Sequence, residues 1–203
     1  MIDLTYVTGN YGKYVSVKEI FERNGIDIKY YKCDIKEEDI NDIKYISLKK
    51  AQAAYDIISS PVFVADSGFY INSYPNNPGY PGAFVKRSGI STNIEKLLFD
   101  MKNEKDRSCY FLDCLTFYDG KNSYQFFGSC FGTLSYDIKG DDKKEAQSNL
   151  WKIFIPKNCK KTLAEMTKDE RNNRCDGRTS AKEEFINWYK NVYTKDKKLQ
   201  LKL

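Results

Sequence analysis

The sequence contains no histidine in 203 residues. Without histidine, the chain cannot build a Ser-His-Asp or Cys-His catalytic group, nor any histidine-ligated metal site. Side chains that bind a metal ion here must therefore offer oxygen atoms, and Mg²⁺ is the default ion for such ligands.

The sequence also lacks a paired-cysteine motif and a long apolar run. The six cysteines are scattered and none forms a C-x-x-C pair, which predicts free thiols rather than a disulfide framework or a zinc site. No apolar run is long enough for a membrane span, and no secretory leader is recognisable. We therefore expect a cytoplasmic protein with no membrane partner.

What the chain does contain is typical of a globular domain. Hydrophobic residues make up 41% and charged residues 30%, so residues 1–203 are predicted to form a single domain with a sizeable core. The net charge of +5 is mild, and basic and acidic residues alternate except in the lysine-rich segment 195–202. This pattern favours a small polyanionic ligand and no nucleic acid.

Two segments combine a predicted strand with polar chemistry. The apolar run Val62–Val64 is predicted to be a buried strand that ends at Asp66-Ser67-Gly68. Ligands of open α/β sheets lie at the carboxyl ends of strands, so these polar groups are candidates for a site. The alternative is an ordinary turn, because Asp, Ser and Gly all favour turns.

The second segment begins with a predicted strand at residues 2–7. It continues into the loop Thr8–Lys13, which contains Gly9 and Gly12, and then into a helical pattern. Backbone N–H groups at a helix N-terminus, together with a lysine, suit a phosphate group. The alternative is an ordinary connection between a strand and a helix.

Taken together, these motifs resemble the inosine triphosphate pyrophosphatase (Ham1) family. The family opens with Thr-Gly-Asn-x-x-Lys, which the loop Thr8–Lys13 matches. Further matches follow in the same order along almost the whole chain: Ala65-Asp66-Ser67-Gly68, Pro81-Gly82-Ala83-Phe84-Val85-Lys86, Phe127-Gly128 with Gly132, and Lys161-Thr162-Leu163-Ala164-Glu165-Met166.

The resemblance implies an α/β fold of the inosine triphosphate pyrophosphatase type, with a central mixed, twisted sheet flanked by helices and two lobes around a nucleotide cleft. It also implies Mg²⁺-assisted cleavage of a nucleoside triphosphate into a monophosphate and pyrophosphate, with deaminated purines such as ITP, dITP and XTP preferred. Asp66 matches the catalytic aspartate. The phosphate-binding matches are Thr8, Asn10, Lys13, Ser67, Lys86 and Arg171.

The metal side departs from the family pattern. The acid expected before the catalytic aspartate is Ala65, and an earlier glutamate, five residues before the match at Lys50, is Tyr45. Asp66 alone is a weak metal ligand, because Mg²⁺ needs one or two carboxylates besides phosphate oxygens. Replacement acids are sought in the neighbouring segment, at Asp34, Glu37, Glu38 and Asp39.

The base side is altered as well. The family's Ser-His-Arg motif is replaced by residues 175–178, in which Asp176 takes the place of histidine and Arg178 supplies the arginine. Trp151, within residues 147–152, is the candidate for stacking on a purine. Its alternative is core packing in a strand that runs to Ile155.

The first functional hypothesis is a nucleotide-binding module that is impaired in catalysis and acts as a sensor or regulatory subunit. The family resemblance suggests bacterial anti-phage defence as a setting, in which an effector such as an NAD-degrading subunit responds to the bound nucleotide. The alternative is an active, Mg²⁺-dependent pyrophosphatase. A purely structural scaffold ranks last. Family members are homodimers, so a homodimer or a heteromer with an effector is expected.

Periodicity and turn residues predict the remaining elements. Helices are expected near residues 13–24, 46–58, 93–101, from Thr162 with a Glu165 capping box, and 180–192. Strands are expected at residues 26–31, 109–118, 123–131 and 133–138, and residues 34–42 are expected to form a loop or a short helix start.

Overall fold

The computed structural model describes residues 4–36, 38–143, 146 and 148–195. Its strands are β1 (Thr5–Val7), β2 (Lys29–Tyr31), β3 (Val62–Ile71), β4 (Pro81–Gly82), β5 (Ser108–Tyr118), β6 (Ser123–Leu134) and β7 (Phe154–Pro156). Its α-helices are α1 (Tyr11–Arg23), α2 (Ile43–Ile58), α3 (Val85–Ser88), α4 (Ile94–Asp100), α5 (Lys168–Asn173) and α6 (Ala181–Trp188). A 3-10 helix spans Asn149–Lys152 and a π-helix spans Tyr189–Tyr193.

The described strands form one mixed sheet in the order β2-β1-β3-β5-β6-β7, with β4 added beside β3. Strand β1 is parallel to both β2 and β3, whereas β4 is antiparallel to β3 and β7 is antiparallel to β6. Parallel and antiparallel pairs in one sheet, together with the helices that pack on it, confirm the predicted mixed α/β fold.

The chain divides into two compact units. The first comprises Met1–Asp66, Asp113–Gly128 and Ser180–Leu203, and the second comprises Ser67–Leu112 and Ser129–Thr179. Strands β3, β5 and β6 each pass from one unit into the other.

The first unit has a large aromatic core. Tyr6 stacks on Phe63 with ring centroids 4.7 Å apart, and Phe21 stacks on Phe63 at 5.1 Å. Phe185 of α6 and Phe117 of β5 close the same cluster. Because stacked aromatic pairs add stability beyond the area they bury, this cluster fixes α1 and α6 against the strands.

The second unit has its own core, built from β3, α4, β5 and β7 around Phe69, Leu97 and Phe154. Arg107 is buried in this unit. Its guanidinium donates hydrogen bonds to the carbonyl oxygens of Met101, Leu134 and Ser135, at 2.6, 3.0 and 2.8 Å. Burial of this charge is tolerated because three carbonyl dipoles replace water.

Strand β3 is longer than predicted. The sequence predicts that the strand ends at Asp66, but β3 continues through Ser67 and Gly68 to Ile71. Beyond Gly68, alternate residues are buried again, and β4 supplies new backbone partners at Phe69 and Tyr70. The turn alternative for this segment is therefore wrong, and Asp66 lies inside a strand.

Three other local predictions need correction. Residues 133 and 134 belong to β6, and no strand follows at 135–138. The capping-box contacts of Thr162 and Glu165 form, but they close a single turn. The helix begins at Lys168 behind a second capping box, Thr167 with Glu170. Helix α4 begins at Ile94 rather than at residue 93, because Asn93 is its cap.

Gly132 provides a test of how closely β6 and β7 pack. A Cβ added at this residue would lie 2.4 Å from the Ile155 carbonyl oxygen and 2.6 Å from the Phe154 ring. We expect Gly132→Ala to lower the free energy of unfolding by about 1–3 kcal/mol, as overpacking does. Urea unfolding measures the change in the free energy of unfolding. Gly25→Ala would be a poor control, because the φ of +71° at Gly25 makes any side chain there unfavourable. A suitable control is Ser123→Ala at the exposed start of β6. A Gly132→Ala variant as stable as the wild type would contradict the close packing of β6 against β7.

Within the described part of the chain, no helix has the length and apolar character that a membrane crossing requires.

Candidate active site

The loop between β1 and α1 is held in shape by its own side chains. The Thr8 hydroxyl accepts a hydrogen bond from the Asn10 N–H at 3.2 Å, and the Asn10 side chain caps α1 by accepting from the Lys13 N–H at 3.1 Å. The first N–H groups of a helix lack acceptors within the helix, so this end of α1 offers donors to an anion. The three predicted phosphate-binding residues of this loop therefore lie together in the first unit.

Asp66 lies on β3 beside a lysine of α2. Lys50 Nζ is 2.5 Å from Asp66 Oδ1, and their side chains are only 17% and 14% exposed. The second carboxylate oxygen, Oδ2, is buried and has no hydrogen-bond partner. A buried carboxylate oxygen without a partner is costly for folding, and such costs are concentrated at functional sites.

Further charges surround Lys13. Burial lowers the pKa of Lys13, and the neighbouring ammonium groups of Lys50 and Lys182 lower it further, while Asp66 and Asp113 act in the opposite direction. The Tyr6 phenol lies near the same Asp66 and Asp113 carboxylates. Burial, and then the Asp66 and Asp113 carboxylates, raise the pKa of its phenol, although the nearby Thr8 side chain lowers it.

The Tyr6 hydroxyl is itself fully buried and has no hydrogen-bond partner of normal geometry. The Tyr6 hydroxyl and Asp66 Oδ2 are thus two buried oxygen atoms without hydrogen-bond partners, and both lie in the same group of polar side chains of the first unit.

Sequence reasoning missed Asp113 and Lys182 as members of this group. Asp113 is the only charged residue of β5, whose other residues include the buried Cys114, Leu115 and Phe117. An isolated charge in a largely apolar strand is a usable signal, since ionised groups in such strands are expected to have partners. Lys182 gives no comparable signal, because lysine is common throughout this chain.

The group fits an oxygen-ligated cation such as Mg²⁺. Asp66 Oδ2 is a free carboxylate oxygen, and Mg²⁺ usually takes one or two carboxylates together with substrate phosphate oxygens and water. In the described ranges no group of three or more His, Cys, Asp or Glu side chains is placed to hold a metal. The described residues thus offer one free carboxylate oxygen, which would hold Mg²⁺ only together with oxygen atoms from outside the protein.

The acids proposed as replacements fall in different places. Asp34 lies against the loop Thr8–Lys13, since a Cβ atom added to Gly9 would be 3.4 Å from the Cβ atom of Asp34. Glu38 and Asp39 are exposed in a segment without helix or strand, which confirms the predicted loop there, and Glu37 lies outside the described residues.

The other predicted site residues belong to the second unit. Ser67 is exposed on β3, and Lys86 is exposed on α3. Trp151 is half-buried in the 3-10 helix Asn149–Lys152, so the predicted strand does not begin until Phe154. Gln147, in the same predicted base-stacking segment, lies outside the described residues.

Arg171 is only 6% exposed. Its guanidinium donates hydrogen bonds to the carbonyl oxygens of Leu163 and Met166, and it lies 5.3 Å from the centre of the Trp151 ring. These contacts favour a structural role over phosphate binding. Arg171 holds the turn before α5 and one face of Trp151.

Asp176 is buried between two arginines. Its Oδ2 accepts from Arg174 Nε at 2.6 Å, and its Oδ1 accepts from Arg178 Nη1 at 3.1 Å. The Cys130 thiol also donates to Oδ2, at 3.4 Å. Because both carboxylate oxygens of Asp176 already accept hydrogen bonds, this residue orients Arg174 and Arg178. Arg178 is the more exposed arginine, and it remains a candidate for contact with a base.

Comparison with known proteins identifies the family of this chain. The Ham1 family profile matches residues 4–188. A dITP/XTP pyrophosphatase of Saccharolobus solfataricus is 34% identical over 171 residues, which cover 84% of this chain and 85% of the relative. A dITP/XTP pyrophosphatase of Thermococcus kodakarensis is 29% identical over 187 residues, covering 92% and 97% of the two chains.

A solved structure shows the same fold. The HAM1 protein from Coxiella burnetii has a TM-score of 0.76 at 19% sequence identity, covering 96% of this chain and 100% of that chain. Together with the family match over most of the sequence, this similarity establishes that the chain belongs to the Ham1 family.

Proposed function

We propose that this protein hydrolyses the triphosphate of a deaminated purine nucleotide, of the dITP or XTP class, into a monophosphate and pyrophosphate. The observation that carries the proposal is the unpartnered, buried Oδ2 of Asp66 within a group of lysines in the first unit. The activities named for the relatives from S. solfataricus and T. kodakarensis support the same substrate class.

The phosphate loop and the lysines bind the triphosphate. The Thr8–Lys13 loop presents N–H donors at the start of α1, and Lys13 and Lys50 add positive charge. In the structure Lys50 is paired with Asp66. Phosphate oxygens compete for Lys50, so nucleotide binding is expected to loosen this pair and release the carboxylate.

Asp66 then acts as the general base. Its carboxylate accepts a proton from the attacking water, the new bond forms between water oxygen and the α-phosphorus, and the bond to the bridging oxygen breaks so that pyrophosphate leaves. Asp66 is the residue that would hold Mg²⁺, with phosphate oxygens completing the ligand set. When bound, the ion supplies positive charge that offsets the charge of the triphosphate.

Base recognition is assigned to the second unit. Trp151 offers an aromatic face for stacking, and Arg178 offers donors to a keto oxygen at purine position six. Ser67 and Lys86 are exposed polar groups of the same unit and are assigned to the phosphates.

A second candidate function is that of a nucleotide-binding regulatory subunit with little or no turnover. Two observations favour it: Asp66 is paired with Lys50, and the described residues provide no group of three or more metal-binding side chains. Such a subunit signals to an effector because nucleotide binding shifts its conformational population. The anti-phage setting, the homodimer or heteromer and the cytoplasmic location stay predictions.

One experiment separates the two functions. Wild-type protein is titrated calorimetrically with dITP, ITP, XTP and dATP, with Mg²⁺ and with EDTA, and the same mixtures are assayed for pyrophosphate. We expect Mg²⁺-dependent pyrophosphate release from the deaminated purines. Binding of dITP without pyrophosphate establishes the regulatory function, and the absence of both binding and release rejects both functions.

A further inference from the structure

Two lysines from distant parts of the chain flank one end of the first unit's core. Lys13 lies one helical turn before Val17 on α1, and Lys182 directly follows Ala181 on α6. Val17 and Ala181 belong to the same buried cluster. Residues four apart share a helix face, so Lys13 extends the face through which α1 meets this cluster.

Asp113 approaches the same end from the sheet. It precedes Leu115 by two residues on β5, and Leu115 is another member of that cluster. Alternate residues of a strand face the same side, so Asp113 lies on the side of the sheet that carries α1 and α6. Helices α1 and α6 run side by side in the same direction, because Phe21 packs against Phe185 and Lys190 beyond α6 donates to the Asn24 carbonyl at the end of α1. Their first turns, which carry Lys13 and Lys182, therefore lie at the same end, and the charges of Lys182 and Asp113 act on Lys13 in opposite directions.

The placement of Lys182 has no evident benefit for folding. Lys182 lies in the first turn of α6, where the helix dipole disfavours a cation. It also lies near the like charge of Lys13. Both effects oppose folding, although Glu183 and Glu184 in the same helical turn carry the charge that the dipole favours. An anion with several charges that binds between the amines offsets both effects.

We propose that Lys182 is a third lysine that binds the triphosphate, beside Lys13 and Lys50. The inference rests on the proposed triphosphate site and assigns it a further contact. Three lysines around two carboxylates, Asp66 and Asp113, leave a net positive charge for a polyanion.

Inorganic tripolyphosphate is the probe, because it tests phosphate binding without base recognition or turnover. Calorimetric titration in EDTA compares the wild type with Lys182→Met, Lys182→Arg and Lys190→Met. Lys190 is the matched control. It lies in the π-helix after α6, where its ammonium donates to the Asn24 carbonyl at 3.0 Å.

We expect Lys182→Met to raise the Kd for tripolyphosphate roughly ten- to hundred-fold, the loss of one charged hydrogen bond. Lys182→Arg keeps the charge, and it should stay within about five-fold of the wild type although the guanidinium geometry differs. Lys190→Met should bind as the wild type does, and equal melting temperatures show that the variants are folded.

The failures are distinguishable. If the wild type binds tripolyphosphate and Lys182→Met binds equally well, the Lys182 contact is wrong while the triphosphate site stands. If Lys190→Met weakens binding as much as Lys182→Met, the effect is one of net charge and the direct contact is again overturned. If the wild type does not bind, the proposed triphosphate site falls, and the Lys182 inference falls with it.

Discussion

Asp66→Asn is expected to lower the rate of pyrophosphate release from dITP by roughly 100- to 10,000-fold, the usual contribution of a positioned general base. Asparagine has nearly the same shape and can still accept a hydrogen bond from Lys50. It cannot take up a proton from water. Among the described residues, Asp66 is the one carboxylate with a buried oxygen that lacks a partner, so no other acid is equally placed to replace it.

The affinity of Asp66→Asn for tripolyphosphate, in contrast to its rate of pyrophosphate release, should not fall. Asp66→Asn removes a negative charge from the surroundings of Lys13 and Lys50, and it weakens the ion pair that occupies Lys50. Tripolyphosphate should therefore bind as tightly as to the wild type, or more tightly. A general loss of structure would weaken binding and turnover together, so this divergence identifies a catalytic role.

The control is Asp27→Asn, which removes one charge from the exposed turn between α1 and β2 of the same unit. It should leave both binding and release unchanged. If Asp66→Asn releases pyrophosphate at the wild-type rate, Asp66 is not the base. If the wild type releases none, the regulatory function takes precedence and the variant is tested for binding alone.

The fold was largely predictable because its local signals agree with its packing. The strand that precedes the loop Thr8–Lys13, the cap at Asn10 and the buried apolar run in the second half of β5 follow from propensity and residue pattern. The full length of β3 was not predictable, since its continuation past Asp66 depends on backbone partners from β4, more than ten residues further along the chain.

The candidate site was predictable only in part, for a related physical reason. A sequence motif gives the type of a residue but not its surroundings. Asp113 and Lys182 lie on β5 and α6, far from Lys13 in the sequence, and no local pattern joins them to it. Conversely, Arg171 matches a phosphate ligand in sequence, but the motif does not show its burial or the hydrogen bonds from its Nη1 to the carbonyl oxygens of Leu163 and Met166.

Asp176→Ala is expected to lower the free energy of unfolding by about 3–5 kcal/mol, the range for removing one partner of a buried ion pair. The Asp176 side chain is 1% exposed, and Arg174 beside it is 14% exposed. Without the carboxylate, the Arg174 charge stays in a poorly solvated position with no counter-ion from residue 176. Arg178 is more exposed and contributes less.

The pH dependence of the stabilisation by Asp176 follows from its contacts with Arg174 and Arg178. Burial alone would raise the pKa of Asp176, but the hydrogen bonds and charges of Arg174 and Arg178 outweigh it and hold the pKa below its usual range. A depressed pKa in the folded state means that the stabilisation is present above the unfolded-state pKa of about 3.9 and is lost as pH falls through the folded-state value. The difference between wild type and Asp176→Ala should therefore shrink below about pH 4.

Urea unfolding of the wild type, Asp176→Ala and Asp142→Ala at pH 7 and pH 3 measures both effects. Asp142 is the matched control, because it also pairs with a cation of the second unit, Lys152 at 2.7 Å, but its side chain is 87% exposed. A surface pair of this kind adds little to stability, so Asp142→Ala should unfold like the wild type. If Asp176→Ala is as stable as the wild type but binds dITP less tightly, Asp176 contacts the base directly, as the family resemblance implies. If it is destabilised while tripolyphosphate binding is unchanged, its role is to hold Arg174 and Arg178 in place.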